Sequence, residues 1–245
     1  MENKYNILFT LNSSYIMYGK LFINSLYDNN DMDKVNKVYL ADTGLDNIDK
    51  HFFNSFPHIE IIETNISSNF NEGGTWGEGW SNSVVSKTQT LYKILKKSPL
   101  PVMMIDADCI ILKDLFPLIS YKVSMQLCCR KPHSIPYLGS FLIAHPDKNG
   151  KEFVLKWINN INNSSGTKAK ESPNLGITVS ELKHVKIEDI PRLKVSCYNK
   201  NEYNDDVFIV HLKGSSLSNN IEEDYKKRIY GEHGFDLIIK KYSNV

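Results

Sequence analysis

Val102-Met103-Met104-Ile105-Asp106-Ala107-Asp108-Cys109-Ile110-Ile111-Leu112 is the stretch whose reading decides the fold. The apolar run entered through Pro99 and Pro101 is too short for a helix, so Val102 to Ile105 is expected to be a fully buried strand. Asp106 and Asp108 then stand at its carboxyl end, the edge at which open α/β sheets bind ligands. Two acids one residue apart in extended backbone point the same way. Both can face one hard divalent cation, whose remaining ligands come from phosphates and water. A bare Asp-x-Asp is also a common helix cap or solvated turn. Here the apolar residues on both sides, Val102 to Ile105 and Cys109 to Leu112, pin the acids inside the fold.

Upstream, Tyr5 to Leu11 reads as a strand left through Asn12-Ser13-Ser14. Tyr18, Leu21, Phe22, Ser25 and Leu26 follow at helical spacing. Lys37 to Ala41 and Ile59 to Ile62 are two more strands, with a short helix from Asp46 to Asn54 between them. This β-α-β-α-β order predicts a parallel, right-handed, Rossmann-like half. No glycine-rich dinucleotide fingerprint follows the first strand. Thr10, Asn12 and Tyr15 take its place, so a nucleoside cradle would be built from hydroxyls, an amide and a ring. Thr64 to Ser81, with Gly73-Gly74-Thr75-Trp76-Gly77-Glu78-Gly79-Trp80, reads as a long loop whose indole rings either cover a sugar face or pack on the core. Ser83 is expected to cap a helix to Lys97, with Val84, Leu91, Ile94 and Leu95 as its buried stripe. Lys87 shares that face and either snorkels past its edge or reaches an anion beside the Asp-x-Asp turn.

Downstream, Asp114 and Pro117 bracket a helical turn, and Val123 to Cys128 reads as a strand. Arg130-Lys131-Pro132-His133 is the most basic short stretch of the central region. Tyr137 to His145 is strand-like, and its Gly139 suggests close approach of a ligand or another backbone. Phe153, Leu155, Trp157, Ile158 and Ile161 mark a helix, and Leu175 to His184 another. Ile187 to Ile190 and Leu193 to Tyr198 are expected to be extended. Asp205-Asp206 precede a buried strand, Val207 to Val210, and a peripheral helix is expected from Glu222 to Tyr230. His211 ends its hydrophobic strand as Asp108 ends one upstream. An imidazole with two carboxylates suits an ion of the Mn²⁺ type, and Lys213 with the backbone at Gly214 suits a diphosphate.

Composition narrows the field. In 245 residues, 29 Lys+Arg stand against 28 Asp+Glu, so no general field would recruit nucleic acid or an anionic membrane. The four cysteines, Cys109, Cys128, Cys129 and Cys197, lack zinc or disulfide spacing and read as reduced, buried thiols. The first residues carry no charged region followed by a long apolar one, and no run approaches the roughly 18 to 20 apolar residues of a membrane span. A soluble, cytoplasmic protein is expected.

The order of Thr10 and Asn12 on strand one, a helix bearing Lys87, VMMIDADCIILKDLFPL, YLGSFLIAH and VFIVHLKG resembles the GT-A glycosyltransferases of family 8. The nearest type is that of glycogenin and the bacterial lipopolysaccharide galactosyltransferases, and the likeness runs to about residue 216. It implies an α/β fold, a single GT-A domain whose mixed central sheet is flanked by helices. The nucleotide-binding half would be 1–112, a donor-sugar and acceptor half 113–216, and a peripheral tail 217–245. By the same resemblance Asp106, Asp108 and His211 bind Mn²⁺ or Mg²⁺ with the diphosphate of a UDP-sugar, and Thr10, Asn12 and Tyr15 meet the nucleoside. Lys87, Lys213 and Gly214 would meet phosphates or donor sugar, and Gly139 and Ser140 lie near that sugar.

The implied activity is transfer of a hexose, from UDP-glucose or UDP-galactose, to a glycan, glycolipid or protein acceptor, with no nucleic acid and at most peripheral membrane contact. The family type points to retention of configuration. The residues leave that open, since retention needs weak nucleophilic help on the far face and inversion needs a carboxylate base. Asp106, Asp108 and Gln126 are the catalytic candidates, and for the base or nucleophile Gln126, Asp205 and Asp206 stand unranked. Two other readings compete. A haloacid-dehalogenase-like phosphatase also opens on such a motif, although Ile110 stands where a threonine is common. A non-catalytic nucleotide-sugar-binding scaffold is favoured by the family's H-x-x-G-x-x-K-P-W, which here continues from Gly214 as Ser215-Ser216-Leu217-Ser218.

Overall fold

The fold is described from a computed structural model for residues 4–64, 78–164, 170–212 and 235–243. Strands without polar alternation form its centre: β1 (Tyr5–Leu11), β4 (Val102–Ile105) and β7 (Tyr137–Ala144) are buried almost throughout. Such strands need cover on both faces. With β2 (Val35–Asp42), β3 (Ile59–Glu63), β6 (Met125–Cys129) and β8 (Ile187–Pro191) they make a seven-stranded sheet in the order β3-β2-β1-β4-β7-β6-β8. Strands β1 to β4 run parallel, as the β-α-β-α-β order predicts. β7 runs antiparallel to both β4 and β6, so the sheet is mixed.

The period of two sorts the core. Ile7, Phe9, Leu11, Met103, Ile105, Phe141 and Ile143 face one way and pack with Phe22, Ile23 and Leu26 of α1 (Ile16–Asn29) and Phe53 of α2 (Asn47–Asn54). Leu8, Val102, Met104, Leu142 and Ala144 face the other way. They meet Leu91, Ile94 and Leu95 of α3 (Glu78–Lys97), Phe153 and Trp157 of α4 (Lys148–Asn163), and Leu175 of α5 (Glu171–Glu181). A separate two-stranded ribbon pairs β5 (Cys109–Ile111) with β9 (Ile209–His211) in antiparallel register. It packs on a third cluster with Tyr18 and Leu21 of α1 and Phe235, Ile239 and Tyr242 of the C-terminal segment, whose helix is Asp236–Ser243.

Several expected boundaries move, for local reasons. α3 begins at Glu78, upstream of Ser83, so Trp80 belongs to a helix and not to a loop. α5 starts at Glu171, with Pro173 in the first turn, where a missing N–H costs nothing. Leu193 to Tyr198 is not extended: Arg192–Val195 forms a helical turn, anchored by Arg192 on the Glu202 carboxylate at 2.7 and 3.0 Å. The strand expected at Val207 to Val210 is shifted and takes in His211, because Val207 N–H is spent on a turn to Asn204. Cys129 is half-buried, unlike the other three thiols. The Gly73 to Trp76 stretch, Lys213, Gly214 and the helix expected from Glu222 to Tyr230 lie outside the described residues. No helix among the described residues is long and apolar enough to cross a membrane.

Trp157 is the largest fully buried side chain, and its Nε1–H donates to the carbonyl of Glu171 at 3.1 Å. Trp157→Ala is expected to lower unfolding free energy by about 3–5 kcal/mol through the cavity and the lost donor. Denaturant unfolding measures this, and a loss near zero would contradict the packing described.

Candidate functional site

β4 ends at Ile105, and the chain turns through Asp106 and Asp108 before entering β5. Asp106 N–H donates to Ser140 O on β7 at 3.0 Å, so the turn is tied to the sheet edge. On the other side, Leu212 N–H donates to Asp108 O at 2.8 Å, and β5–β9 pairing sets His211 against Cys109. His211 Nε2 consequently lies 3.2 Å from Asp108 Oδ1 and 3.9 Å from Asp106 Oδ2. The opposite ring nitrogen, Nδ1, is 2.9 Å from Ser196 Oγ, which is 3.3 Å from Ser140 Oγ. A metal-binding Nε2 needs the ring proton on Nδ1, and Ser196 Oγ is placed to accept it, the outer-shell arrangement typical of ligating histidines.

Lys87 comes to the same turn from α3. Its ammonium is buried, 2.5 Å from Asp106 Oδ1 and 2.8 Å from Glu171 Oε1, and it donates to Gly139 O at 3.3 Å. Burial works against its charge, but the two carboxylates outweigh that and raise its pKa above the ordinary lysine value. Two carboxylates thus share one cation. Glu171 is the more deeply buried of them, and burial pushes its pKa up to about 7, with Lys87 pulling down and Asp106 pushing further up. The Lys87 ammonium is the charged partner of Glu171 Oε1. Gly139 is needed here because a Cβ on it would overlap the Glu171 carboxylate.

Lys87, Asp106, Asp108 and Glu171 help wall a small pocket of about 120 Å³ that opens to solvent. Thr10, Leu11, Asn12 and Tyr15 line it together with them, as do Ser83 and Val84. Thr10 Oγ1 is buried with no hydrogen-bond partner among the described residues. Asn12 Oδ1 accepts from Ser14 Oγ at 2.7 Å, and the Tyr15 ring packs on Tyr18 at 5.3 Å.

The structure therefore brings together Thr10, Asn12, Tyr15, Lys87, Asp106, Asp108 and His211. Gly139 and Ser140 touch the site from behind, through the Gly139 carbonyl on Lys87 and through Ser140 O and Oγ. Gln126 is a correction. It is fully buried on β6; its Oε1 accepts Ser120 N–H at 2.8 Å and its Nε2 donates to Leu118 O at 2.8 Å. It knits a loop to the sheet and does not line the pocket. Asp205 and Asp206 are exposed and away from it. Glu171 is the residue that sequence reasoning missed. Its only signal was an acid directly ahead of Ser172-Pro173, which also reads as an ordinary helix start.

The donor types suit a divalent cation: carboxylate oxygens of Asp108 and Asp106 lie 3.2 and 3.9 Å from His211 Nε2, and the imidazole is oriented by Ser196. Among the described residues the trio whose ligand atoms all lie within 4.8 Å of one another is Asp108, Cys109 and His211. Burial pushes the Cys109 thiol well above its ordinary pKa, aided by the charges of Asp108 and Asp106, so a hard ion finds oxygens here and not a thiolate.

No protein-family model and no curated protein sequence matches the chain. Solved structures do. The galactosyltransferase LgtC in complex with donor and acceptor sugar analogs superposes with a TM-score of 0.67 at 9% identity, over 98% of this chain and 95% of that one. The apo bifunctional glycosyltransferase WbbM gives 0.60 at 10% identity over 100% of this chain. Apo GlyE of Streptococcus pneumoniae TIGR4 gives 0.58 at 13% over 99%. The chain spans 52% of WbbM and 63% of GlyE. At such identities the likeness is one of fold.

The raised Glu171 pKa makes a signed prediction. The folded state holds this proton more tightly than the unfolded chain, so the stabilisation is full below the ordinary value of 4.5 and is lost as pH rises through about 7. Glu171→Gln should flatten that decline, read from denaturant unfolding at a series of pH values between those limits. Equal slopes in the two proteins would show that the carboxyl is not proton-linked to folding.

Proposed function

We propose that this chain, which carries the GT-A fold, is a metal-dependent glycosyltransferase that moves a hexose from a UDP-sugar to a glycan, lipid-linked sugar or protein hydroxyl. UDP-glucose and UDP-galactose are the donors to try first. The observation that carries this reading is the approach of His211 to Asp108 and Asp106, at 3.2 and 3.9 Å, beside a pocket that both acids line together with Thr10, Asn12 and Tyr15. That shared lining supports a nucleoside held next to a metal-bound diphosphate. The division into a nucleotide half 1–112 and a donor-sugar and acceptor half 113–216 belongs to the same proposal, as do Lys213 and Gly214 as further diphosphate contacts.

The residues divide the work by charge. Asp106, Asp108 and His211 would hold Mn²⁺ or Mg²⁺. Such an ion offsets the negative charge that develops on a departing diphosphate. Lys87, kept cationic by Asp106 and Glu171, fixes the orientation of Asp106 and adds positive potential to the pocket floor. Thr10 Oγ1 is a buried oxygen without a hydrogen-bond partner among the described residues, and a ribose or hexose hydroxyl would satisfy it. The described carboxylates lining the pocket are Asp106, Asp108 and Glu171. Two are assigned to the ion and the third is tied to Lys87. None is left as a dedicated base for the acceptor, which supports a retaining course.

Thermal shift and calorimetry with UDP, GDP and CMP, each with and without Mn²⁺, test the reading. Stabilisation only when UDP and Mn²⁺ are present together is expected, followed by slow hydrolysis of the cognate UDP-sugar. Asp108→Ala and His211→Ala should each lower turnover by roughly 10³-fold or more, the equivalent of several kcal/mol of charge stabilisation. Cleavage of phosphate esters with Mg²⁺ and no nucleotide binding would replace the transferase by a phosphatase. Binding without any turnover would leave a nucleotide-sugar-binding module.

A further inference from the structure

The register of the β5–β9 ribbon does more than bring His211 to the Asp-x-Asp turn. Leu212 N–H donates to Asp108 O and Leu112 N–H donates to Phe208 O, each at 2.8 Å. These bonds belong to the 108/212 and 112/208 pairs, and the alternation of an antiparallel ladder then leaves the facing residues Cys109 and His211 as a non-hydrogen-bonded pair. Such pairs are the close ones, with Cα atoms roughly 4.5 Å apart and side chains on the same face of the ribbon. A thiol is thereby set beside an imidazole, with the Asp108 carboxylate next to both, and the three ligand atoms lie within 4.8 Å of one another.

We propose that this centre also takes a thiophilic divalent cation of the zinc or cadmium type, on Asp108, Cys109 and His211, with Asp106 left outside. Tetrahedral coordination at about 2.0 to 2.3 Å asks for ligand atoms roughly 3.3 to 3.8 Å apart, so a contraction of about an ångström closes the site. Three protein ligands with a fourth position for water or a phosphate oxygen is the usual pattern of an open zinc site. Asp106 is not among the three ligand atoms that lie within 4.8 Å of one another; Lys87 engages its Oδ1 at 2.5 Å, and Oδ2 is the oxygen a hard ion would use. A hard ion makes the opposite choice: it prefers the Asp106 oxygens to a sulfur. Asp108 and His211 are then common to two donor sets, and the softness of the ion selects the third ligand. As the sulfur–metal bond forms, the thiol proton leaves to solvent. A thiophilic ion so bound competes with the hard ion of the proposed function. The inference shares two residues with that function but is read by sulfur ligation, not by turnover, so either can fail without the other.

The test is a titration of the full chain with Cd²⁺, followed by the ultraviolet sulfur-to-cadmium charge-transfer band. The band should saturate at one equivalent. Cys109→Ser should lose it and bind Cd²⁺ at least about tenfold more weakly, since even outer-shell changes cost that much. Cys129→Ser and Asp106→Asn should keep it. Absence of the band in the unaltered protein, its survival in Cys109→Ser, or its loss in Cys129→Ser overturns the proposal. Should Cys109→Ser not fold, cadmium NMR of the unaltered protein reads the same point, and a resonance in the range of oxygen and nitrogen ligands alone overturns it.

Discussion

The ammonium of Lys87, buried between Asp106 and Glu171, is the interaction on which the rest of the site depends. Two carboxylates in one dry pocket repel each other strongly and cost several kcal/mol each in lost hydration unless a cation lies between them. Lys87 supplies that cation from the core-facing stripe of α3, so the helix must press its face against the carboxyl edge of β4. Glu171 must in turn enter from the first turn of α5, and β7 must carry a glycine where the carboxylate passes. A buried ionic arrangement of this kind is weak evidence for stability. Burial is the main reason the Glu171 pKa is raised, with Lys87 opposing it and Asp106 adding to it, and this carboxyl lines the pocket.

The parts of the fold legible in the sequence were those whose signal is local. Runs such as Tyr5 to Leu11 and Val102 to Ile105 have no polar alternation, and being buried on both faces is what such runs require. Helices α1 to α4 announced themselves by the spacing of Leu21, Phe22, Leu91 and Trp157. Boundaries were less legible because they are settled by partners remote in sequence. Arg192–Val195 is a turn and not a strand because Arg192 finds Glu202. Of the site, Asp106, Asp108, Lys87 and His211 could be named because each breaks an apolar pattern. Glu171 could not, since an acid ahead of a proline-bearing helix turn is ordinary; only α5 packing on β7 turns it inward. Gln126 looked like a polar residue awaiting a task, and its task is to hold Leu118 and Ser120 against β6.

Cys109 shows the same limit from another side. Its apolar neighbours Ile110 and Ile111 made it read as filler, and by burial it is filler. Strand register, which no local pattern reveals, sets its sulfur beside His211. A one-residue slip in that pairing would send the imidazole to the opposite face of the ribbon.

That register rests on little backbone. β5 and β9 are three residues each, and a two-stranded ribbon of that size has no independent stability in water. Its support comes from packing: Ile110, Val210 and Leu212 insert among Tyr18, Leu21, Phe235, Ile239 and Tyr242. Asn29 at the end of α1 joins the two sides, donating to Ile111 O at 3.0 Å and to the Tyr242 hydroxyl at 2.5 Å. Lys241 adds an ion pair to Asp28, which is exposed and contributes little. His211 is therefore held by the C-terminal helix and α1 more than by the main sheet, whereas the Asp-x-Asp turn is held by the main sheet. The proposed ion, bridging the turn and the ribbon, would join two separately supported bodies. By mass action, binding it would stabilise the docking of the C-terminal helix, and undocking that helix would weaken the ion.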